Sequence, residues 1–218
     1  MKKILYAFVL LFSVILVSCE SECESELSSQ LGPDAHPYVD LGLSVKWATC
    51  NVGADSPEDC GDYFAWGETE PKEKYNWSTY KWCNGSYDSQ TKYTVGNKTE
   101  LDLEDDAARA NWGGSWRMPT AAEIYELCIE CTWTWTVQNG VNGYKVTSKT
   151  NGNSIFLPAT GNYQYSDLEM AGSRGYYWSS SLNTAYEWLA GVLYFRSNKV
   201  EESNSYRRWG MSVRPVLP

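Results

Sequence analysis

The sequence predicts an α+β domain: two helices packed on a mostly antiparallel, twisted sheet with long loops. Three observations predict it. Apolar residues alternate with period two near Leu43, Val45 and Trp47 and again from Thr132 onward. Between them, Ile124, Leu127, Cys128 and Cys131 fall at i, i+3, i+4 and i+7, the spacing of one buried helix face. Strands, then helices, then a run of strands is the α+β order rather than the alternating α/β order.

The first stretch is not part of that domain. Lys2 and Lys3 precede an apolar run over residues 4–17, broken only by Ser13, and Leu16-Val17-Ser18-Cys19 follows. The run is shorter than the roughly 20 residues a spanning helix needs, and its flanks fit a removable export signal. The Leu-Val-Ser-Cys ending resembles a bacterial lipoprotein signal. That resemblance implies that residues 1–18 are removed, that Cys19 is lipidated, and that the protein is held outside the cytoplasm by acyl chains. The acids that follow, Glu20 to Glu26, resemble the acidic tag that some Gram-negative lineages place after the lipidated cysteine, which implies the outer face of the outer membrane. Residues 19–37 then read as an acidic, flexible tether: Glu20, Glu22, Glu24 and Glu26 bring nothing to bury, and Gly32-Pro33 and His36-Pro37 follow. The folded domain is expected over residues 38–218.

Removing residues 1–18 takes away Lys2 and Lys3 and no acid, so the net charge moves from −9 to −11. Such a surface repels phosphate backbones and argues against nucleic acid as a partner. Acidity of this degree also accompanies disorder, but aromatic residues make up 15% of the chain, including 11 Trp and 16 Tyr, which is ample area for a core.

Seven cysteines are present. With Cys19 lipidated, an even number remains in an exported chain, which favours disulfides over metal binding. Cys23 lies in the tether. Cys50, Cys60, Cys83, Cys128 and Cys131 are the disulfide candidates, and the Gly- and Pro-containing loop between Cys50 and Cys60 is the best placed to close.

Along the domain, Val39-Asp40-Leu41 and Leu43-Ser44-Val45-Lys46-Trp47 read as two strands about Gly42, and Asp62-Tyr63-Phe64-Ala65-Trp66-Gly67 as a third. Residues 68–100 are polar and rich in Tyr and Trp without a clear period, hence long loops. Asp102 is positioned to cap a first helix with Glu104, Asp105 and Asp106 in its opening turn, and Gly113-Gly114 ends it. Thr120 and Glu123 form a capping box for the second helix. Trp133, Trp135 and Val137 begin the later strands. Asn139-Gly140, Asn142-Gly143 and Asn151-Gly152 mark turns around strands at 144–147 and 154–157. Residues 161–175 read as a long loop, followed by strands at 176–180, 188–195 and 212–214.

Trp116-Arg117-Met118-Pro119-Thr120 with Glu123, Gly175-Tyr176-Tyr177-Trp178-Ser179-Ser180-Ser181, and Gly210-Met211-Ser212-Val213-Arg214-Pro215-Val216 together resemble the Fibrobacter succinogenes-type major paralogous domain of bacterial surface lipoproteins. Trp47-Ala48-Thr49-Cys50-Asn51-Val52-Gly53 and Asp62-Tyr63-Phe64-Ala65-Trp66-Gly67-Glu68 look like it too. The resemblance spans residues 38–218 and implies a C-type-lectin-like fold and a surface location, but no established activity. Read physically, these motifs are scaffold, with Arg117 placed to pair with a carboxylate and Arg214 to anchor the last strand.

The only histidine, His36, sits in the tether, which removes Ser-His-Asp and Cys-His catalysis and three-His zinc sites. The same broad fold houses formylglycine-generating oxidases, which the Arg-Met-Pro-Thr segment resembles. They need a reactive cysteine pair near the C-terminus, and no cysteine follows Cys131. Asp102, Glu104, Asp105 and Asp106 are hard-cation ligand types, read here as acids complementing a helix start. No metal and no cofactor is expected. Tyr163, Tyr165, Asp167, Tyr206, Arg207, Arg208 and Trp209 occupy irregular segments, and Tyr, Trp and Arg dominate binding hot spots. They form the candidate ligand site. The expectation is a non-catalytic surface lipoprotein that binds a glycan or protein. The competing readings are a structural or accessory subunit of a surface assembly, such as a pilus or polysaccharide-uptake complex, and, more remotely, a hydrolase using carboxylates alone.

Overall fold

The computed structural model describes residues 30–31 and 36–218. The export signal, Cys19, Cys23 and most of the tether lie outside the described residues. The far end of the expected tether enters the fold. Strand β1 (Gln30–Leu31) pairs antiparallel with β2 (Pro37–Val39), and the His36 ring stacks on Trp112 at 3.8 Å.

The α+β, C-type-lectin-like arrangement is not what forms. The described residues are mostly β, 39% strand against 10% helical, in four small antiparallel sheets, so two helices do not cover one twisted sheet. β2, β3 (Lys46–Ala48) and the closing β12 (Val216–Leu217) join β1 in the first sheet, in the order β1-β2-β3-β12. A meander of β4 (Cys131–Gln138), β5 (Val141–Ser148) and β6 (Ser154–Pro158) makes the second. β7 (Asn162–Gln164) and β8 (Asp167–Glu169) are a two-stranded ribbon where a loop was expected. The last sheet is β9 (Arg174–Leu182), β10 (Leu189–Arg196) and β11 (Lys199–Tyr206), in the order β11-β10-β9. The final strand lies at Val216–Leu217 rather than 212–214.

The physical reason for separate sheets is the size of the side chains between them. Trp47, Tyr144, Val146, Ile155, Leu157, Tyr177, Leu193 and Phe195 come from three sheets and form one buried cluster, which α2 (Ala121–Glu130) completes with Ile124 and Leu127. Bulky rings join these sheets face to face where backbone ladders would have joined them edge to edge. A second cluster contains Trp66, Trp116, Trp178, Ala190, Val192, Met211 and Val213, with Ala107, Ala108 and Trp112 of α1 (Ala107–Trp112). Period-two alternation explains the division. In β9 and β10, Trp178, Ala190 and Val192 face this second cluster, while Tyr177, Leu193 and Phe195 face the first. Two of the buried indoles are paired: Trp66 Nε1 donates to the Ser179 carbonyl at 2.8 Å and Trp178 Nε1 to that of Phe64 at 2.7 Å, while Trp47 Nε1 is buried without a partner among the described residues. Gly175 is required where it stands, because a Cβ there would lie 2.1 Å from the Phe195 ring.

Local signals act as expected in α2. Thr120 and Glu123 form the capping box, and Glu123 also receives the Arg117 guanidinium in a two-pronged pair at 2.6 and 2.8 Å. At α1 the cap is Asp106, not Asp102. The Asp106 side chain accepts from the Arg109 amide at 3.0 Å and the Met118 amide at 2.8 Å, and Asp102 instead precedes a short 3-10 turn at Leu103–Asp105.

Cys50, Cys60, Cys83, Cys128 and Cys131 are free thiols. The loop expected to be closed by a Cys50–Cys60 bridge is closed by hydrogen bonds. Asn51 Nδ2 donates to the carbonyls of Asp59 and Cys60 at 3.3 and 2.9 Å, and the Asp62 amide donates to the Val52 carbonyl at 2.9 Å. Cys128 and Cys131 lie against the core, and burial pushes their thiols up to about 12 and about 11. Among the described residues no helix is long and apolar enough to cross a membrane.

Burial alone would raise the Glu123 carboxyl, but the Arg117 fork and the Thr120 amide outweigh it and hold it below its usual 4.5. A carboxyl depressed in the folded state stabilises above its unfolded pKa, and that contribution is lost as pH falls through the folded value. Glu123→Gln is therefore expected to cost about 2 kcal/mol at neutral pH. The difference from wild type should shrink as pH drops below 4.5, which thermal midpoints measured across the acid range will show.

Candidate binding cleft

Loop chemistry builds the cleft. The Asn76 carboxamide accepts from the Ser78 hydroxyl at 2.7 Å and the Thr79 amide at 3.1 Å, a side-chain turn that fixes Trp77. Asn183 does the same for the Ala185 and Tyr186 amides, at 2.9 and 2.8 Å, just before Trp188. The Gln90 carboxamide donates to the Tyr87 carbonyl at 2.9 Å. Tyr206 ends β11, and Arg208 follows in the turn. Trp77, Tyr87, Trp188, Tyr206 and Arg208 line an open cleft of about 310 Å³, near the lower end of the size range for small-molecule sites. The rings brace one another edge to face: Tyr87 with Trp188 at 5.3 Å, Trp77 with Tyr206 at 6.2 Å, and Tyr206 with Trp209 at 5.1 Å.

Arg208 sits among them. Its guanidinium carbon is 5.5 Å from the ring centres of Trp77, Tyr165 and Tyr206 and 5.8 Å from that of Trp209. Its Nε is buried without a partner, and its guanidinium makes one long hydrogen bond, from Nη1 to the Tyr75 carbonyl at 3.3 Å. Burial lowers its pKa, and the neighbouring Tyr165 and Tyr206 hydroxyls act the other way. Tyr165 reaches it from the ribbon tip with a positive φ of 56°, held by reciprocal backbone hydrogen bonds with Tyr75 at 2.8 and 3.1 Å. A non-glycine residue in that region stores about 1–3 kcal/mol.

The remaining expected site residues are placed differently. Arg207 is fully buried. Its Nε donates to the Tyr80 hydroxyl at 2.8 Å, and its Nη atoms donate to the carbonyls of Glu187, Lys92 and Tyr93 at 2.8, 2.9 and 3.2 Å, with Trp66 stacked 4.7 Å away. It holds the loops behind the cleft and has no place in its lining. Tyr163 lies deeper, bonded backbone to backbone with Gly210 and stacked on Tyr75 at 5.6 Å. Asp167 is exposed on β8 and does not line the cleft. Trp209 is half-buried beside Tyr206, packed against the core. Sequence reasoning missed Trp77, Tyr87 and Trp188. For Trp77 and Tyr87 the available signal was the density of rings across residues 68–100, a stretch with no strand period to bury them; Trp188 carried no such signal, since it reads as the start of a strand.

The acidic cluster is occupied by protein cations. Asp102, Glu104 and Asp105 bring carboxylate oxygens within 4.8 Å of one another. The Lys92 ammonium lies 2.6, 3.0 and 3.4 Å from Asp105, Asp102 and Glu104, Lys81 reaches Asp105 at 3.2 Å, and Lys98 pairs with Asp102. The Tyr93 hydroxyl adds a 2.6 Å bond to Asp105. These groups supply the positive charge that the carboxylates would otherwise seek from a metal.

Compared with known protein families, with curated proteins and with solved structures, the chain matches none. The two adjacent arginines separate by role. Arg207→Met, which strands three carbonyls and takes one of the two hydrogen bonds of the Tyr80 hydroxyl, is expected to cost about 3–5 kcal/mol. Arg208→Gln, which removes a desolvated cation with one long bond, is expected to change stability by less than about 1 kcal/mol. Urea denaturation of the two variants measures both.

Proposed function

We propose that this chain is a non-catalytic lipoprotein, anchored through Cys19 in the outer membrane, that captures a glycan in the Trp77–Trp188–Tyr206 cleft. The observation that carries the binding role is that cleft: several ring faces held at an open surface around one polar group. Sugars offer apolar C–H faces between hydroxyls, and fixed aromatic rings bind such faces with little loss of side-chain freedom. A protein partner would be met by the same Tyr, Trp and Arg chemistry, but a concave cleft of this size suits a small ring better than a broad interface of about 800 Å² per partner. The strained Tyr165 tip supports the reading, because backbone strain held by surrounding structure collects at ligand sites. The non-catalytic part rests on chemistry: the only histidine is stacked on Trp112, and the thiols of Cys128 and Cys131 are raised by burial.

Trp77→Ala and Tyr206→Ala are each expected to lower capture on a glycan array by about 10–100-fold. Tyr206 is partly exposed, so the thermal midpoint of Tyr206→Ala should stay near wild type, whereas Trp77 packs on the Tyr75 and Tyr80 cluster and its loss should lower the midpoint. An unchanged array signal in both variants would remove the cleft as the site. For the anchor, labelled palmitate is expected to enter the wild-type protein and not Cys19→Ala, which should leave the membrane fraction. A Cys19→Ala protein that stays membrane-bound would end the lipoprotein reading.

A further inference from the structure

The arginines of this protein differ in how fully they are used. Arg117 grips Glu123 through two bonds, Arg214 is bonded to Asn51, Ala48 and Thr49 with only its Nη2 unpaired, and Arg207 makes four hydrogen bonds. Arg208 has one bond of 3.3 Å, and no ion pair among the described residues reaches it. A half-desolvated cation without an anion is costly, and a fold keeps one at a cleft wall at the expense of stability. Four aromatic rings within 5.8 Å hold the guanidinium in place, so little side-chain freedom remains to be lost when an anion arrives.

We propose that the ligand of the cleft is a carboxylate-bearing sugar, of the uronic or sialic acid type, whose carboxylate pairs with the Arg208 guanidinium while its ring stacks among Trp77, Trp188 and Tyr206. This inference rests on the glycan reading above and narrows it. The chemistry selects a carboxylate on three grounds. A guanidinium presents a planar fork that matches a planar carboxylate. Arg208 is the only cation among the residues lining the cleft, which suits a single negative charge better than a doubly charged phosphoryl group. The ring faces beside it call for an apolar C–H surface attached to that charge, which an acidic sugar carries. The overall negative charge of the protein opposes an acidic ligand only at long range, because charges more than about 8 Å apart are largely screened at physiological salt.

The test uses the full chain and two matched pairs of probes: trigalacturonate against its methyl ester, and sialyllactose against lactose. Titration calorimetry on wild type, Arg208→Gln and Arg208→Lys reads the affinities. The expected result is that wild type prefers the acid of at least one pair by about tenfold or more. That preference should vanish in Arg208→Gln, weaken in Arg208→Lys and fall with added salt, with the acid member losing more affinity than the neutral member in both variants. Equal affinity for acid and neutral members in wild type, or an acid preference that survives Arg208→Gln, overturns the carboxylate inference and leaves the glycan reading standing. Absence of binding by all four probes, together with a blank neutral-glycan array, overturns both. The comparison within wild type needs no variant to fold.

Discussion

A guanidinium shut away from water organises the aromatic half of this molecule. Among the described residues Arg207 meets no carboxylate. Its charge is spread over the carbonyls of Lys92, Tyr93 and Glu187, the Tyr80 hydroxyl and the face of Trp66. Those partners belong to segments without a strand ladder of their own, and such backbone must find its hydrogen bonds elsewhere. One buried donor group supplies them and draws the residue 80–93 loop and the residue 187 turn onto the end of β11. The walls of the cleft are the outer surfaces of those same segments, so the shape of the site follows from a side chain that never touches it.

The segments 116–120, 175–181 and 210–216 act here as framework. Trp116, Met118, Trp178, Met211 and Arg214 are buried. Gly210 stands where a Cβ would press 2.7 Å from the Tyr75 ring, and Tyr75 in turn carries the backbone bonds that fix Tyr165. These residues hold the domain together, and the ring-bearing loops above them form the cleft, a division common in folds that carry sites on loops.

Legibility followed local physics. α2 was readable because its capping box and its Ile124 and Leu127 face are encoded within ten residues, and β5 and β6 because Asn-Gly turns bracket them. β11 was not, because Lys199, Glu201 and Glu202 give it no apolar alternation, and it becomes a strand only by pairing along the length of β10. The β7–β8 ribbon was hidden for the same reason, its outer strand being exposed throughout. Sheet membership was the larger loss. Periodicity shows which residues extend, not which strand each will join, and the rings that keep the sheets apart act across distant sequence positions. In the site, Tyr206 and Arg208 were legible by residue type. Arg207 could not be told from its neighbour, since only depth separates them. Trp77, Tyr87 and Trp188 gained their meaning from the convergence of three loops.

The sheet of β9, β10 and β11 is shared property: its two faces seal two different interiors. Neither interior can be opened to solvent without stripping a wall from the other. Such an arrangement couples the halves thermodynamically, so the protein melts as a single cooperative unit, and the slowest amide exchange belongs to β9 and β10, whose release requires the whole domain to come apart.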